Sequence, residues 1–177
     1  MSDSDTRNII DQYKGWTTDL IKKDLQNKTF PYAVLMEQFQ GDFNIGTVVR
    51  NANAFGAKEV FYIGKKRWDR RGAVGVQNYT DIKYLANIDE LKELKKQYPT
   101  FIGVDNIPGS IPVETFWWPV NCLLIFGEEG TGLTPETQSL CDVIVAITQY
   151  GSVRSLNAGT ASGIIMYELT QSYPPPL

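Results

Sequence analysis

Short apolar segments alternate along this chain with segments of helical periodicity, and this alternation restricts the fold more than any other feature. The segments predicted to be strands are residues 32–39, 59–63, 100–104, 121–126 and 142–147. Strands separated by helices favour an α/β fold, in which a mostly parallel sheet carries helices on both faces. Ligands of such sheets bind beyond the carboxyl ends of the strands. We therefore expect functional residues in the loops that follow these strands.

One of these loops joins the last predicted strand to a helix made largely of small residues. Between Gly151 and Asn157 it supplies two hydroxyls, one amide, one guanidinium and a run of backbone N–H groups. That composition, lying between two apolar elements, is typical of a binding site. An ordinary strand-to-helix turn with Ser155 as the N-cap would give the same pattern, because serine is favoured at that position.

The loop after the first predicted strand leads into a helix with polar groups near its start. Residues 44–55 carry an apolar face and are followed by Gly56, a residue type favoured just beyond a helix end. Asn44 occupies the first position, and Arg50 projects away from the apolar face. Both side chains are therefore expected to face a ligand at the edge of the sheet.

The loop after strand 121–126 has the glycine-containing sequence GEEGTGL and is followed by Thr134 and Pro135. A threonine cap before a proline predicts a helix start. Glycine loops also occur in nucleotide-binding oxidoreductases and in NTPases. Here the Gly-x-Gly-x-x-Gly spacing and its distant acidic residue are missing, and no Gly-Lys-Ser/Thr follows, so neither class fits.

A dense basic cluster follows the second predicted strand. Residues 64–72 contain five cations and one aromatic ring: Lys65, Lys66, Arg67, Arg70, Arg71 and Trp68. An aromatic ring beside phosphate-binding cations is suited to single-stranded RNA. The alternative is a solvated surface loop with Trp68 packed beneath it.

Residues 4–27 have apolar side chains at helical spacing and predict an amphipathic N-terminal arm. Gly15 weakens the prediction that this arm is one continuous helix.

The length of 177 residues predicts one domain. No apolar run approaches the length of a membrane span, and no signal peptide is recognisable, so we expect no membrane partner.

Composition narrows the chemistry further. The chain contains no histidine, which removes the commonest general base and zinc ligand. Cys122 and Cys141 lie in or beside predicted strands, which favours buried thiols over a disulfide or metal pair and indicates a cytoplasmic setting. The net charge of −3 argues against nonspecific coating of nucleic acid, although a local patch could still bind RNA.

Three blocks in this order, NIGTVVRNANAFG, LLIFGEEGTGL and ITQYGSVRSLNAGTASG, resemble the three motifs of the SpoU family, the TrmH-like RNA 2′-O-ribose methyltransferases of the SPOUT superfamily. The resemblance covers residues 32–169. It implies an α/β fold with a C-terminal deep trefoil knot, S-adenosylmethionine as cofactor and a homodimer. It also divides the chain into an N-terminal helical arm at 1–30 and a SPOUT methyltransferase domain at 31–177.

The resemblance assigns roles to individual residues. The catalytic residues implied are Asn44 and Arg50 of the first motif, Glu129 of the second, and Ser155 and Asn157 of the third. The residues implied to hold the cofactor are Gly127, Ile147 and Leu156, together with Ser155. Thr148 and Gln149 stand where the family commonly has Pro-Met, which is a departure in the cofactor loop.

The chemistry of ribose methylation fits this set. A ribose hydroxyl is a poor nucleophile, whereas a methyl group on a sulfonium is already activated, so alignment and help with one proton are needed, and no metal is required. We expect Arg50 to act as the base proposed for the family, or to hold the neighbouring phosphate and stabilise the developing alkoxide. Asn44, Ser155 and Asn157 would orient the ribose and the cofactor.

Transfer RNA is the expected substrate, because compact relatives without an added RNA-binding domain often act on it. Ribosomal RNA remains an alternative substrate. A noncatalytic RNA-binding protein of the same fold is the other alternative, although the complete set of motif residues favours an enzyme.

Overall fold

A computed structural model describes residues 9–37, 42–128 and 130–174. Within these ranges lie seven strands: β1 (Phe30–Glu37), β2 (Ala57–Ile63), β3 (Ile82–Leu85), β4 (Thr100–Val104), β5 (Ile111–Pro112), β6 (Cys122–Phe126) and β7 (Val143–Ala146). They form one sheet in the order β3-β2-β1-β6-β4-β7-β5, and every pairing is parallel. The prediction of a parallel α/β sheet is confirmed, and the carboxyl ends of the strands share one edge.

Five α-helices lie in the same part of the chain: α1 (Thr18–Gln26), α2 (Asp42–Ala54), α3 (Ile88–Glu93), α4 (Pro135–Leu140) and α5 (Ala158–Gln171). The predicted ends are confirmed at two helices. The Thr134 hydroxyl caps α4 by accepting a hydrogen bond from the Thr137 N–H, with Pro135 in the first turn. Gly56 follows α2 with φ of +64°, a conformation that glycine adopts without strain.

Helices cover both faces of the sheet. Alternate residues of β1 point to opposite sides, so Tyr32, Val34 and Met36 join one core cluster, and Ala33 and Leu35 join another. The first cluster includes apolar side chains of α2 and α5. The second includes Leu91 of α3 and, at its margin, Leu140 of α4. Every one of these β1 side chains is fully buried.

The helices α2 and α5 pack closely, although α5 follows β7 and α2 follows β1, which lies three places away in the sheet. The Asn51 side-chain N–H donates to the Gly159 carbonyl at 2.8 Å and to the Ser162 hydroxyl at 2.9 Å. A Cβ on Gly159 would lie 2.7 Å from Cγ2 of Thr47. The small residues of α5 therefore allow it to approach α2 within this chain.

Several details differ from the sequence predictions. Strand β3 was not predicted, because it is only four residues long and includes an exposed lysine. The first strand begins at Phe30, two residues before the predicted start, and residues 38–39 of the predicted strand 32–39 lie outside the described residues. The predicted arm divides at Gly15, which has φ of +82°, into a 3-10 turn (Asp11–Tyr13) and α1. The arm packs on Tyr79 through Tyr13 and Ile21.

Both cysteines are free thiols, with Cys122 buried and Cys141 partly buried. Burial raises the pKa of each thiol to about 12. In the ranges that the structure covers, no helix is both long and apolar enough to cross a bilayer.

Asn51→Ala should weaken the contact between α2 and α5. The substitution leaves the buried Ser162 hydroxyl and the Gly159 carbonyl without the Asn51 donor, so we expect a loss of about 1–3 kcal/mol in the free energy of unfolding. Urea denaturation measures this loss. Asn53→Ala is the matched control in the same helix, since Asn53 makes one 3.3 Å bond to Thr80, and equal losses for the two variants would contradict the prediction.

Candidate functional site

Three loops enclose a cavity at the carboxyl edge of the sheet. They are residues 105–107 after β4, the turn 127–132 after β6, and the segment 147–158 after β7. Apolar walls come from Val104, Phe126, Ile147, Leu156, Ala158 and Ala161. Polar and charged groups come from Asp105, Asn106, Glu128, Gln149, Arg154 and Ser155. A cavity with apolar walls and a few polar groups is the usual form of a small-molecule site.

The turn 127–132 closes tightly on itself. The backbone groups of Glu128 and Gly132 exchange hydrogen bonds of 3.0 and 2.8 Å. A Cβ on Gly127 would lie 2.2 Å from the carbonyl carbon of Gly132 and 2.2 Å from the Leu133 nitrogen, so only glycine fits there. Gly132 has φ of +73° and packs against the carboxylate of Asp105, which accepts the Leu133 N–H at 2.9 Å. The turn is thereby fastened to the loop after β4.

The segment 147–158 crosses the same edge of the sheet and then begins α5. The Asn106 side-chain N–H donates to the Arg154 carbonyl at 3.4 Å, which joins this segment to the loop after β4. Asn157 caps α5, because its side-chain oxygen accepts the Thr160 N–H at 3.2 Å. The alternative of Ser155 as the N-cap is therefore wrong, and the exposed Ser155 lines the cavity instead.

The first and third motifs meet beside the cavity. The Asn157 side-chain N–H donates to the Asn44 side-chain oxygen at 3.1 Å, and Asn44 is only 8% exposed. Arg50 is exposed on α2, one turn beyond Gly46 and Thr47. Residues three and four apart on a helix are neighbours on its surface. On the surface of α2, Arg50 is therefore a neighbour of both Thr47 and Gly46. Thr47 faces α5, and Gly46 faces the loop of residues 64–72.

The basic loop, residues 64–72, ends against α2. A Cβ on Gly46 would lie 2.8 Å from the Ala73 nitrogen and 2.8 Å from Cα of Gly72, so the two backbones are in direct contact. The five predicted cations are exposed: Lys65, Lys66, Arg67, Arg70 and Arg71. Trp68 is only partly exposed and packs against the core cluster. This is the position expected in the alternative interpretation of a solvated surface loop with Trp68 packed beneath it.

One cation of the loop is already paired. The Arg71 guanidinium donates to the Asp69 carboxylate at 2.8 Å through Nε, and Asp69 also caps the turn that follows by accepting the Arg71 backbone N–H. Hydrogen bonds from Arg71 lower the pKa of the Asp69 carboxyl below its usual range. The loop is thus shaped by its own charges. Lys65, Arg67 and Arg70 are exposed, and the exposed Lys66 places its Nζ 5.8 Å from the centre of the Tyr84 ring.

The predicted site residues fall into two adjoining groups. Gly127, Ile147, Ser155 and Leu156 line the cavity. Asn44 and Asn157 lie where α2 meets α5, and Arg50 is exposed on α2, six residues beyond Asn44. Glu129 lies outside the described residues.

The sequence patterns missed several polar residues of the cavity wall as site members, among them Asp105, Asn106, Glu128 and Gln149. The signal for Asp105 was its place directly after a buried strand, since the carboxyl ends of parallel strands meet at one edge. The side-chain oxygen of Gln149 is buried and has no hydrogen-bond partner in the described part of the chain. Across that same part, no group of three carboxylate or thiol side chains is placed to hold a metal ion.

Similarity to known proteins extends over most of the chain. The profile of the SpoU rRNA Methylase family matches residues 31–167. The putative TrmH family tRNA/rRNA methyltransferase YacO of Bacillus subtilis is 24% identical over 171 residues, which are 89% of this chain and 65% of that protein. The tRNA (guanosine(18)-2′-O)-methyltransferase of Escherichia coli is 28% identical over 139 residues, 76% of this chain and 61% of that protein. The chain thus spans about six-tenths of the length of these relatives.

Two solved structures have the same fold. The SpoU methyltransferase AviRb from Streptomyces viridochromogenes, solved in complex with the cofactor AdoMet, is 26% identical with a TM-score of 0.73 over 80% of this chain and 58% of that one. The A. aeolicus TrmH/SpoU tRNA modifying enzyme is 21% identical with a TM-score of 0.77, over 88% of this chain and 81% of that one.

Gly127→Ala should disrupt the turn 127–132. The added methyl group would overlap the backbone of Gly132 and Leu133, which cannot move aside as a flexible side chain could, so we expect a loss of about 1–3 kcal/mol or more in unfolding free energy. Gly151→Ala is the control, because a Cβ there meets nothing within 4 Å. Urea denaturation of both variants measures the difference, and a Gly127 variant as stable as the Gly151 variant would refute this geometry.

Proposed function

This chain belongs to the SpoU rRNA Methylase family, and we propose that it transfers a methyl group from S-adenosylmethionine to a ribose 2′-hydroxyl of RNA. The observation that carries the proposal is the cavity between the loops after β4, β6 and β7, of which the last two carry the second and third motifs, with the Asn44–Asn157 pair beside it. The cavity suits the binding of the cofactor, and the adjoining polar group suits the ribose.

The cavity residues fit S-adenosylmethionine by their chemistry. The apolar walls suit the adenine ring, and the carboxylates of Asp105 and Glu128 suit the positively charged ammonium and sulfonium groups. The turn contributes Gly127, Gly130 and Gly132 to the cavity wall. When bound, the cofactor supplies a methyl group that is activated by the positive charge on sulfur. Gly127, Ile147, Leu156 and Ser155 are the residues that we propose hold it.

Arg50 is the proposed centre of the chemistry on the RNA side. It is exposed and lies between α5 and the basic loop, so it can meet a ribose whose phosphate lies on that loop. A guanidinium keeps its charge in proteins, which favours stabilisation of the developing alkoxide over removal of the proton by Arg50 itself. The role as base remains the alternative within this proposal.

The amide pair Asn44–Asn157 has a positioning role in the proposal. Each side chain holds the other, and Asn157 is fixed further by capping α5. A fixed pair of amides next to Ser155 can orient the ribose hydroxyls without rearrangement during the reaction. Glu129 would hold Arg50 or the loop that carries Asn44.

The basic loop is the proposed RNA-binding surface. Lys65, Lys66, Arg67 and Arg70 are exposed cations on a loop whose backbone contacts α2 at Gly46, one turn before Arg50. Cations in this position would bind the phosphates on either side of the target ribose. Trp68 supports the loop from below and could stack on a base at its exposed edge.

Transfer RNA is the proposed substrate and ribosomal RNA the second candidate, because named relatives of both kinds match this chain. The free thiols agree with a reducing, cytoplasmic setting. The direct test is transfer of a labelled methyl group from S-adenosylmethionine to purified transfer RNA and ribosomal RNA. Label in the 2′-O-methyl nucleosides of transfer RNA supports the proposal. Label only in ribosomal RNA favours the second candidate substrate, and no label in either RNA contradicts the proposed methyltransferase activity.

The proposal includes a C-terminal trefoil knot. The segment 147–157 runs from β7 back to α2 across the loops 105–107 and 127–132, and Asn106 bonds to it on the way. Such a path suits a chain end that passes through a loop. Pulling the two termini apart in an optical trap tests this, because a knotted chain stays shorter than its full contour length and an unknotted chain reaches it.

A homodimer is also part of the proposal. On α5, Ile164 and Tyr167 are 37% and 50% exposed, next to the helix that carries Arg50. Exposed apolar side chains of this size suit a subunit interface. Sedimentation equilibrium should give twice the chain mass, and the mass of a single chain at micromolar concentration would contradict the dimer.

Arg50→Ala should lower the rate of methyl transfer by about 100- to 1,000-fold, because one charge that stabilises the reacting oxygen is removed. Binding of S-adenosylmethionine, measured by calorimetry, should change by less than about twofold. Lys58→Ala is the control, since Lys58 is an exposed cation at the opposite end of its strand from the site. Equal loss of transfer and cofactor binding in the Arg50 variant would refute the assigned role.

The double variant Lys65→Ala/Lys66→Ala should weaken RNA binding. It should also make the fall of log affinity with log salt concentration shallower by about 1 to 2, since each phosphate contact releases counterions. The matched control is Lys92→Ala/Lys96→Ala, which removes two lysines from the surface of α3 and the turn after it. Filter binding over a range of salt concentrations measures both. The proposal of an RNA-binding loop fails when the two double variants bind RNA alike.

A further inference from the structure

Arg154 brings a positive charge to the wall of the cavity. It is exposed, and among the described residues that line the cavity it is the one arginine or lysine. Within the described parts of the chain it forms no ion pair, whereas Arg71 of the basic loop is paired with Asp69. An unpaired guanidinium beside a cavity is available to a negatively charged group of a ligand.

The same wall carries two carboxylates, Asp105 and Glu128. Neither is paired with Arg154. Asp105 instead accepts the Leu133 N–H at 2.9 Å, and Glu128 accepts the Thr131 hydroxyl at 3.2 Å. Charges of opposite sign that share a cavity without pairing leave space between them for a ligand that carries both signs.

S-adenosylmethionine carries the matching set of charges. Its sulfonium and ammonium groups are positive, and the carboxylate of its amino acid end is negative. The two carboxylates of the wall match the positive groups, which leaves the ligand carboxylate for Arg154. A guanidinium suits that role, because it stays charged and can bind both oxygens of a carboxylate. The bond from Asn106 to the Arg154 carbonyl holds the backbone of this residue to the loop after β4, which also lines the cavity.

We propose that Arg154 binds the carboxylate of the amino acid end of S-adenosylmethionine, and so favours the complete cofactor over adenosyl ligands that lack this group. The inference rests on the proposed binding of S-adenosylmethionine in the cavity and adds a specificity-determining side chain to it. An RNA phosphate is the other negative group that can reach an exposed arginine, so the experiment includes RNA binding.

The experiment compares two ligands that differ in one group, S-adenosylhomocysteine and its decarboxylated analogue, which keeps the amino group and lacks the carboxylate. Calorimetry gives both dissociation constants for the unsubstituted protein and for Arg154→Met, Arg154→Lys and Lys58→Met. Methionine removes the charge and keeps an unbranched side chain, and lysine keeps the charge without the planar fork. Lys58 is the matched control, because it is an exposed cation at the opposite end of its strand from the cavity.

The unsubstituted protein and Lys58→Met should bind S-adenosylhomocysteine about tenfold more tightly than the analogue, as expected for one charged hydrogen-bonded pair. Arg154→Met should lose most of this preference through weaker binding of S-adenosylhomocysteine alone. Its affinity for the analogue should stay the same or rise, because a positive charge near the ammonium group has been removed. Arg154→Lys should keep part of the preference.

Two results would overturn the assignment to the carboxylate. One is an unchanged preference in Arg154→Met, which together with weaker RNA binding in filter assays would assign the guanidinium to a phosphate. The other is equal weakening of both ligands, which would indicate a general change in the cavity. Failure of the unsubstituted protein to bind either ligand would instead contradict the cofactor proposal.

Discussion

The contact between α2 and α5 is the constraint on which the site depends. The two helices follow strands on different sides of the sheet centre, so the chain after β7 must cross the carboxyl edge before α5 can reach α2. Asn51 holds the helices together through the Gly159 carbonyl and the Ser162 hydroxyl. Because α5 is fixed there, the segment before it is stretched across the loops after β4 and β6, and the cavity forms between them.

Glycine and carboxylate residues give this cavity its shape. Gly127 and Gly132 let the turn after β6 fold onto itself, and Asp105 fastens it to the neighbouring loop. The nearby Glu37 carboxylate is buried at the end of β1 and accepts hydrogen bonds from Thr134 and Thr137 at the start of α4. Buried carboxylates that accept several donors act as fixed anchors, which makes the cavity preorganised.

Much of this arrangement was predictable because it depends on local patterns. The strand at 100–104 matches its prediction residue for residue, and Thr134-Pro135 starts α4 as capping chemistry requires. The convergence of the polar loops followed from the parallel sheet, and the family resemblance named the residues at the meeting of α2 and α5. Ser155 and Asn157 show the limit, since both are good caps and only the path of the backbone decides between them.

The remaining features depend on contacts between distant residues. Gln149 is an ordinary polar residue in the sequence, and only the packing of the loop buries its oxygen. The short strand β3 forms by pairing with the edge of β2, and its four residues alone give little indication of a strand. Gly46 belongs to an evident helix, yet its close contact with Gly72 joins α2 to the basic loop, and no sequence pattern predicts that contact.

The most direct measurement is amide hydrogen exchange with and without saturating S-adenosylmethionine. Binding in the cavity should slow exchange in three separate stretches, residues 104–107, 127–133 and 147–158, because these loops line it or turn at its edge. The account is supported if S-adenosylmethionine slows exchange in all three stretches and NAD slows it in none of them. Protection confined to other parts of the chain, or no change on addition of S-adenosylmethionine, would contradict it.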